Sequence, residues 1–426
     1  MRRLATTALV LIVIGVASVY LPMLYEKIFF KRIEKTHLLY SPVTQRFIYN
    51  EKIVGTIPAD ARKKAEDHHA EIAYRDANGT YYTRVDFEKR LPFIYYKNME
   101  LWGLMPLRLN GQTFDKKTIK ANRQVLELSP GEVNGQRPQI RLWPLLESNP
   151  GQARLVFPED RFRMTADAMQ FINADTNYPD IPLTKDFSRA LRKAGFVFPA
   201  RSVNGKSTIL KPFDEGVFIV DAESRVFHVR RQDNRPVVVR TPIDPALKTR
   251  HIKVVENRRR EFYGLLLAGD GSLHLLTYDD YRLIRLPLEH YDAGRMDFKL
   301  IANPLYRTAI WSDDSVIRAV AMDRDYQVLD RYTHRMSRSA KTPAHQVYEA
   351  LFPFTLHLES NGGGFLRLSV QPGGWFSLIG MGLCLVGFAL WFRFRRRRLP
   401  VVAGLSLVAV TGVYGWMALV AVDGDR

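Results

Sequence analysis

Gly216-Val-Phe-Ile-Val220, Asp221-Ala-Glu-Ser224, Arg225-Val-Phe-His-Val-Arg-Arg231 and Pro236 to Arg240 read as strand, turn, strand and strand. β-Branched and aromatic residues alternate there with polar ones, and the Asp/Ser cluster marks the turn. The same order returns twice. Phe262 to Leu267, a turn at Gly269-Asp-Gly-Ser272, Leu273 to Thr277 and Tyr281 to Leu286 form a second copy. Arg307 to Trp311, a turn at Ser312-Asp-Asp-Ser315, Val316 to Met322 and Tyr326 to Arg331 form a third. Val217, Tyr263 and Ala309 stand 46 residues apart, and His228, His274 and Arg318 follow at intervals of 46 and 44. A period in the forties is that of propeller blades or stacked sheets. Three successive antiparallel meanders are therefore expected over Glu215–Tyr332, with Val217, Tyr263 and Ala309 in matching first strands.

The sequence before this repeat is also β-rich. Glu71 to Arg75, Ala77-Asn-Gly79 and Thr80 to Phe87 read as a hairpin, since Asn-Gly supplies positive φ. Gln139 to Leu146, Ala153 to Phe157 and Met169 to Asn173 are further strand candidates, interrupted by prolines. Asp115 to Asn122 and Thr184 to Ala194 read as short helices, each with a capping residue at its start. Met336 to Thr342 reads as a solvated connector.

Both ends of the chain are apolar. Leu4 to Tyr25 carries no charge, Ser377 to Phe392 is apolar apart from small residues, and Val401 to Val422 is uncharged. The last two flank Arg393, Arg395, Arg396, Arg397 and Arg398. Short arginine-rich loops stay cytoplasmic, so three membrane helices are expected over 4–25, 375–392 and 401–422. That arrangement leaves 1–3 and the basic loop 393–400 inside. It exports 26–374 as a β-rich domain, with 423–426 on the same outer side. A signal peptide cleaved after Gly15-Val16-Ala17 is the alternative for the first segment and exports the domain equally. Almost no cytoplasmic mass remains for a kinase, a nucleotide-binding unit or a nucleic-acid-binding module. The fold class expected is mainly β, propeller-like or of stacked meanders, with a few short helices and three transmembrane helices.

Cys384 is the one cysteine of the chain. With no intrachain disulfide, an exported domain rests on packing alone, which suits a bacterial envelope and an inner-membrane location. The net charge is +18. Arg2, Arg3 and the five loop arginines account for seven of these, and Asp423, Asp425 and Arg426 contribute −1, which leaves +12 for the exported segment. Such a surplus favours anionic lipid or an anionic envelope polymer as a neighbour, or else makes a well-solvated basic surface.

Ala200-Arg-Ser-Val-Asn-Gly-Lys-Ser207 fits a relaxed phosphate-loop pattern, but the β-leaning Thr208-Ile-Leu-Lys-Pro212 replaces the helix such a loop must open. An Asn-Gly hairpin turn is the reading preferred. Glu66-Asp67-His68-His69 carries metal-binding residue types, yet adjacent histidines diverge, and a polar loop is favoured. Asp279-Asp280, Asp313-Asp314 and Asp323/Asp325 could pair as acid and base, though each sits where a strand turns. His228 and His274, at equivalent repeat positions, read as strand-face residues. No catalytic, cofactor or metal residue is assigned. Gly404 and Gly412, among the glycines of the last two apolar segments, are expected to provide surfaces for helix contact.

An N-terminal span, Leu39-Tyr-Ser-Pro42, Leu91-Pro-Phe93, Lys211-Pro-Phe-Asp-Glu-Gly-Val-Phe-Ile-Val-Asp221, Glu261-Phe-Tyr-Gly264, Asp280-Tyr281, Leu286-Pro287 and two terminal spans occur in this order. The chain thereby resembles an uncharacterised family of bacterial inner-membrane proteins described as a domain of unknown function, over nearly its whole length. The resemblance implies proximity to ABC transporter components, and hence an accessory role beside a permease and its ATPase. The function expected is a membrane-anchored accessory or binding protein of the bacterial envelope. An envelope hydrolase or transferase with a carboxylate site, or a structural tether, is the alternative.

Overall fold

The computed structural model describes residues 2–30, 33–64, 71–136, 142–360, 366–395 and 401–423. It divides into two compact units, Lys35–Arg338 on the one hand and Met1–Glu34 with Ser339–Arg426 on the other. The chain opens on α1 (Arg2–Phe29). In Lys35–Arg338, β1 (His37–Ser41), β2 (Arg46–Lys52), β3 (Ile72–Asp76) and β4 (Tyr81–Tyr82) form an antiparallel meander, with α2 (Ala59–Lys64) between the second and third. Then come α3 (Arg84–Arg90), α4 (Tyr96–Leu101), the hairpin β5 (Leu107–Leu109) and β6 (Gln112–Phe114), α5 (Lys116–Asn122) and β7 (Gln124–Leu128). A three-stranded sheet of β8 (Asp160–Met164), β9 (Met169–Asn173) and β10 (Pro179–Asp180) precedes α6 (Ile181–Lys193).

Three larger sheets follow. One runs β11 (Ser202–Gly205), β12 (Val217–Val220), β13 (Val226–Gln232), β14 (Arg235–Arg240), and the next runs β15 (His251–Val254), β16 (Phe262–Leu267), β17 (Leu273–Thr277), β18 (Leu283–Arg285). The last is built from β19 (Asp297–Ala302), β20 (Arg307–Ser312), β21 (Val316–Met322) and β22 (Val328–Arg335), and β7 joins it beside β19.

These sheets lie face on face, and the period-2 alternation of a strand shows how. Val217, Ile219, Phe227 and Val229 share one core with Phe171, Phe187 and Leu191, while Phe218, Val220 and Val226 share another with Tyr263, Leu266 and Leu276. Leu265, Leu267, Leu273 and Leu275 meet Leu300, Ala309, Trp311 and Val320 in a third core. Ile310, Ile317, Ala319 and Ala321 meet Leu38, Tyr40, Phe47 and Tyr49 in a fourth. Strands inside such a stack are buried on both faces and read as unbroken apolar runs. Val217–Val220 and Phe262–Leu267 are buried at every position. At one end Phe187 and Leu191 of α6 cover the stack; at the other Phe87, next to Leu91, covers Ile48.

The β-rich class holds, as a set of small antiparallel sheets with a few helices. The propeller does not: the layers form an open stack capped by helices, without closure. The meanders have four strands rather than three. Val217, Tyr263 and Ala309 occupy β12, β16 and β20, each the second strand of its sheet. Thr80 to Phe87 is strand only at Tyr81–Tyr82, because the Thr83 hydroxyl accepts from Asp86 N at 3.1 Å and starts α3. Ala153–Phe157 lies in no strand, and Gln139–Leu146 contributes, among its described residues, a single bridge from Trp143 to Phe162. Asp180 rather than Thr184 caps α6. The segment Asn204–Gly205 is neither a phosphate loop nor a turn, since it belongs to β11 and pairs with Val217–Phe218.

In the other unit, α7 (Pro343–Leu351), the hairpin β23 (Phe354–Ser360) and β24 (Leu366–Pro372), α8 (Phe376–Arg395), α9 (Val401–Thr411) and α10 (Val413–Asp423) accompany α1. Two helices, Leu4–Phe29 and Phe376–Arg393, are long and apolar enough to cross a membrane. The third expected span is a pair of 11-residue helices instead. Each is ~16 Å long, about half a hydrocarbon core. Gly412 separates them at φ +56°, the left-handed conformation that ends helices. A β-carbon on Gly404 would lie 3.6 Å from Leu419, whereas an unbroken helix would hold these positions ~22 Å apart. The segment therefore folds back on itself at Gly412.

Candidate functional site

The residues of Lys211-Pro-Phe-Asp-Glu-Gly216, Glu261-Phe-Tyr-Gly264 and Asp280-Tyr281 converge at one end of the gap between the β11–β14 and β15–β18 sheets. The loop before β12 is fastened first. The Lys211 ammonium donates to Asp214 Oδ1 and Glu256 Oε1, both at 2.5 Å, and the three side chains are 1%, 3% and 0% exposed. Each carboxylate also takes a backbone amide, Asp214 that of Gly216 at 2.9 Å and Glu256 that of Glu215 at 3.0 Å. Burial raises the Glu256 carboxyl above the usual range, against the pull of Lys211. Gly216 sits at φ +68°, and a β-carbon there would collide with the Val229 carbonyl, so only glycine admits this turn.

Beside this strap, His228 is buried and both its ring nitrogens are engaged. Nε2 donates to the Glu215 carbonyl at 2.5 Å, and Nδ1 accepts from the Tyr281 hydroxyl at 2.9 Å. Burial pushes this imidazole down to about 4, which keeps it neutral. Its ring stacks on Phe218 at 4.3 Å, while Tyr263 stacks on Tyr278 at 3.9 Å and on Tyr281 at 5.2 Å. The Glu215 carboxylate lies 3.9 Å from Arg230 and 4.0 Å from Arg260, and burial raises it above the usual carboxylate range. Arg260 covers the Phe213 ring at 4.4 Å.

A second polar cluster closes the next gap, toward β19–β22. Arg259 meets Glu261 at 2.6 Å and donates to the Asn122 carbonyl at 2.7 Å; Arg307, 3% exposed, reaches Glu261 at 3.8 Å and donates to the Asn303 carbonyl at 2.7 Å. Glu215, Glu261 and Arg307 are spaced by 46 residues and stand at the start of the second strand of each sheet, Glu215 two residues before β12, Glu261 one before β16 and Arg307 opening β20. The acid of one layer thus faces an arginine associated with the next.

Of the aspartates expected at turns, Asp313 and Asp323 are held by turn chemistry. Asp313 Oδ1 accepts from Ser315 N and Val316 N at 2.7 Å, and Asp323 Oδ1 from Asp325 N at 2.9 Å and Gln327 N at 2.8 Å. His274 lies on a buried strand face apart from both clusters. Glu66, Asp67, His68 and His69 fall outside the described residues, as do Arg396, Arg397 and Arg398. Arg393 and Arg395 end α8, the former exposed. Gly404 packs on Phe388 and Leu419, and Gly412 on Pro353 and Met381, all within the chain. Among the described residues no group of three or more His, Cys, Asp or Glu could hold a metal ion. The 46-residue spacing that relates Val217, Tyr263 and Ala309 relates Glu215, Glu261 and Arg307 equally, and is the sequence signal for this acid and arginine pattern.

Comparison with curated proteins finds no match. A family profile matches residues 37–322, which takes in the layered sheets up to β21 but neither of the long apolar helices, a narrower span than the resemblance implied. On that match the chain belongs to the family described as a domain of unknown function (DUF4857).

Proposed function

We propose that this chain is a membrane-anchored accessory or binding protein of the bacterial envelope, working beside an ABC-type permease and its ATPase. The observation that carries the reading is an uncovered apolar stripe on α8. Ile379, Leu383, Val386 and Leu390 recur at helical spacing and are 52–68% exposed. In water such a stripe is unfavourable, and lipid or another membrane helix is its natural cover. Binding rather than catalysis is supported by the way His228, Lys211, Asp313 and Asp323 are committed to internal partners. In this reading α1 and α8 cross the inner membrane, Arg393 and its neighbours stay inside, and Lys35–Arg338 is exported.

The glycine faces named for partner contact are filled from within the chain, so a partner is assigned to the α8 stripe. A photo-crosslinking residue at Leu383 or Val386, introduced in cells, should capture a multispanning membrane protein. Mild-detergent purification should recover the same protein with an ATPase. A lone monomer in several mild detergents, with no crosslinked product from either position, would overturn the reading.

A further inference from the structure

We infer that the cluster between the β15–β18 and β19–β22 sheets is a binding site for an oxyanion of the phosphate class. The argument begins with register. Gln124 pairs with Ala302, and Ala302 with Arg307, so the three lie side by side across β7, β19 and β20 and project to one face. That face is the one on which Leu126, Leu300 and Ala309 meet Leu265 and Leu273, so Gln124 and Arg307 enter the same gap. Tyr326 enters it from the loop before β22 and meets the Phe262 ring at 6.5 Å. Arg259 and Glu261 close it from the opposite sheet.

This gap holds polar atoms that nothing else accounts for. Gln124 is 3% exposed, and neither its Oε1 nor its Nε2 has a hydrogen-bond partner among the described residues. Arg307 Nε is buried in the same condition, and among the described residues the buried Tyr326 hydroxyl has only the Arg307 guanidinium to turn to. A buried amide and guanidinium N–H left without partners each cost free energy, and native proteins fill such places with water or a ligand. The charge decides which ligand. Arg259 and Arg307 stand against one carboxylate, Glu261, and the exposed Arg324 adds a third positive charge beside Arg259. The donors outnumber the acceptors, and guanidinium forks suit tetrahedral oxyanions. Arg259 and Glu261, 18% and 27% exposed, form the mouth. The inference does not depend on the membrane assignment, because every residue in it belongs to Lys35–Arg338.

The test uses the full chain in detergent. Calorimetric titration with inorganic phosphate, and separately with short-chain phosphatidic acid, should show saturable binding to at least one. A response to phosphate identifies a free anion, and a response to the lipid alone identifies a headgroup. Arg307→Met, Tyr326→Phe and Gln124→Leu should each weaken that binding about ten- to hundredfold, the range of hydrogen bonds to a charged group. Tyr326→Phe and Gln124→Leu keep the test valid if Arg307→Met does not fold. Absence of binding by both probes would overturn the site. So would binding unchanged by Tyr326→Phe and Gln124→Leu, or a gain in melting temperature from Gln124→Leu alongside undiminished affinity.

Discussion

At the scale of single residues, the interlayer cores are where substitution is felt most. Phe218 is fully buried, stacked on His228 and packed against Tyr263. Phe218→Ala should cost about 3–5 kcal/mol, read by denaturant unfolding of the detergent-solubilised chain. The buried imidazoles set a pH dependence. Burial holds His228 and His251 each at about 4 in the folded chain, below the usual histidine value of 6.5. Between those limits the unfolded chain binds more protons, so stability is fully present above pH 6.5 and falls as the pH drops toward 4. His228→Gln should flatten that decline, measured as melting temperature against pH. Glu51 works in a lower window. Burial alone would raise its carboxyl, but hydrogen bonds from His334, Ser337 and Thr36 outweigh burial and hold it below the usual range, so its contribution is lost only under more acidic conditions.

At the scale of elements, the Lys211 strap joins the loop before β12 to the residue two beyond β15. Lys211→Met should destabilise by about 3–5 kcal/mol, because two buried carboxylates lose their common counter-charge; removing all three charges together should cost much less. Urea midpoints of the two variants give the comparison. The middle strands were legible in the sequence because layers packed on both faces demand unbroken apolar runs such as Val217–Val220. The outer strands were not. Ser202–Gly205 has one apolar residue and is a strand only because β12 offers it a ladder, and Gln124–Leu128 joins a sheet whose other members begin at Asp297. Of the candidate site, the motif residues could be read but not their convergence, since Lys211 and Glu256 are brought together by the turn of an intervening sheet. The break at Gly412 was hidden because an uncharged run of 22 residues satisfies every compositional test for a span, and one left-handed glycine leaves no trace in composition.

At the scale of the whole molecule, repeat chemistry and anchor have separate logics. The layers gain by adding one sheet to the next, each gap closed by apolar side chains inside and by an acid facing an arginine at the polar end. Such a stack has no need of closure as long as its end faces are covered, which α6 and Phe87 accomplish. The fold-back at Gly412 bears on something different, the parity of crossings. A chain that crosses twice brings its tail home to the side on which it started, whereas three crossings strand the tail outside. In the proposed membrane arrangement, with α9 and α10 doubling back, a reporter active only outside the cytoplasm should be silent when fused after Arg426, silent within 396–398, and active when inserted near Lys341. Activity after Arg426 would mean that the segment straightens through the bilayer. A silent tail would instead leave the last residues and the arginine loop facing the same compartment, where one cytoplasmic protein could reach both at once.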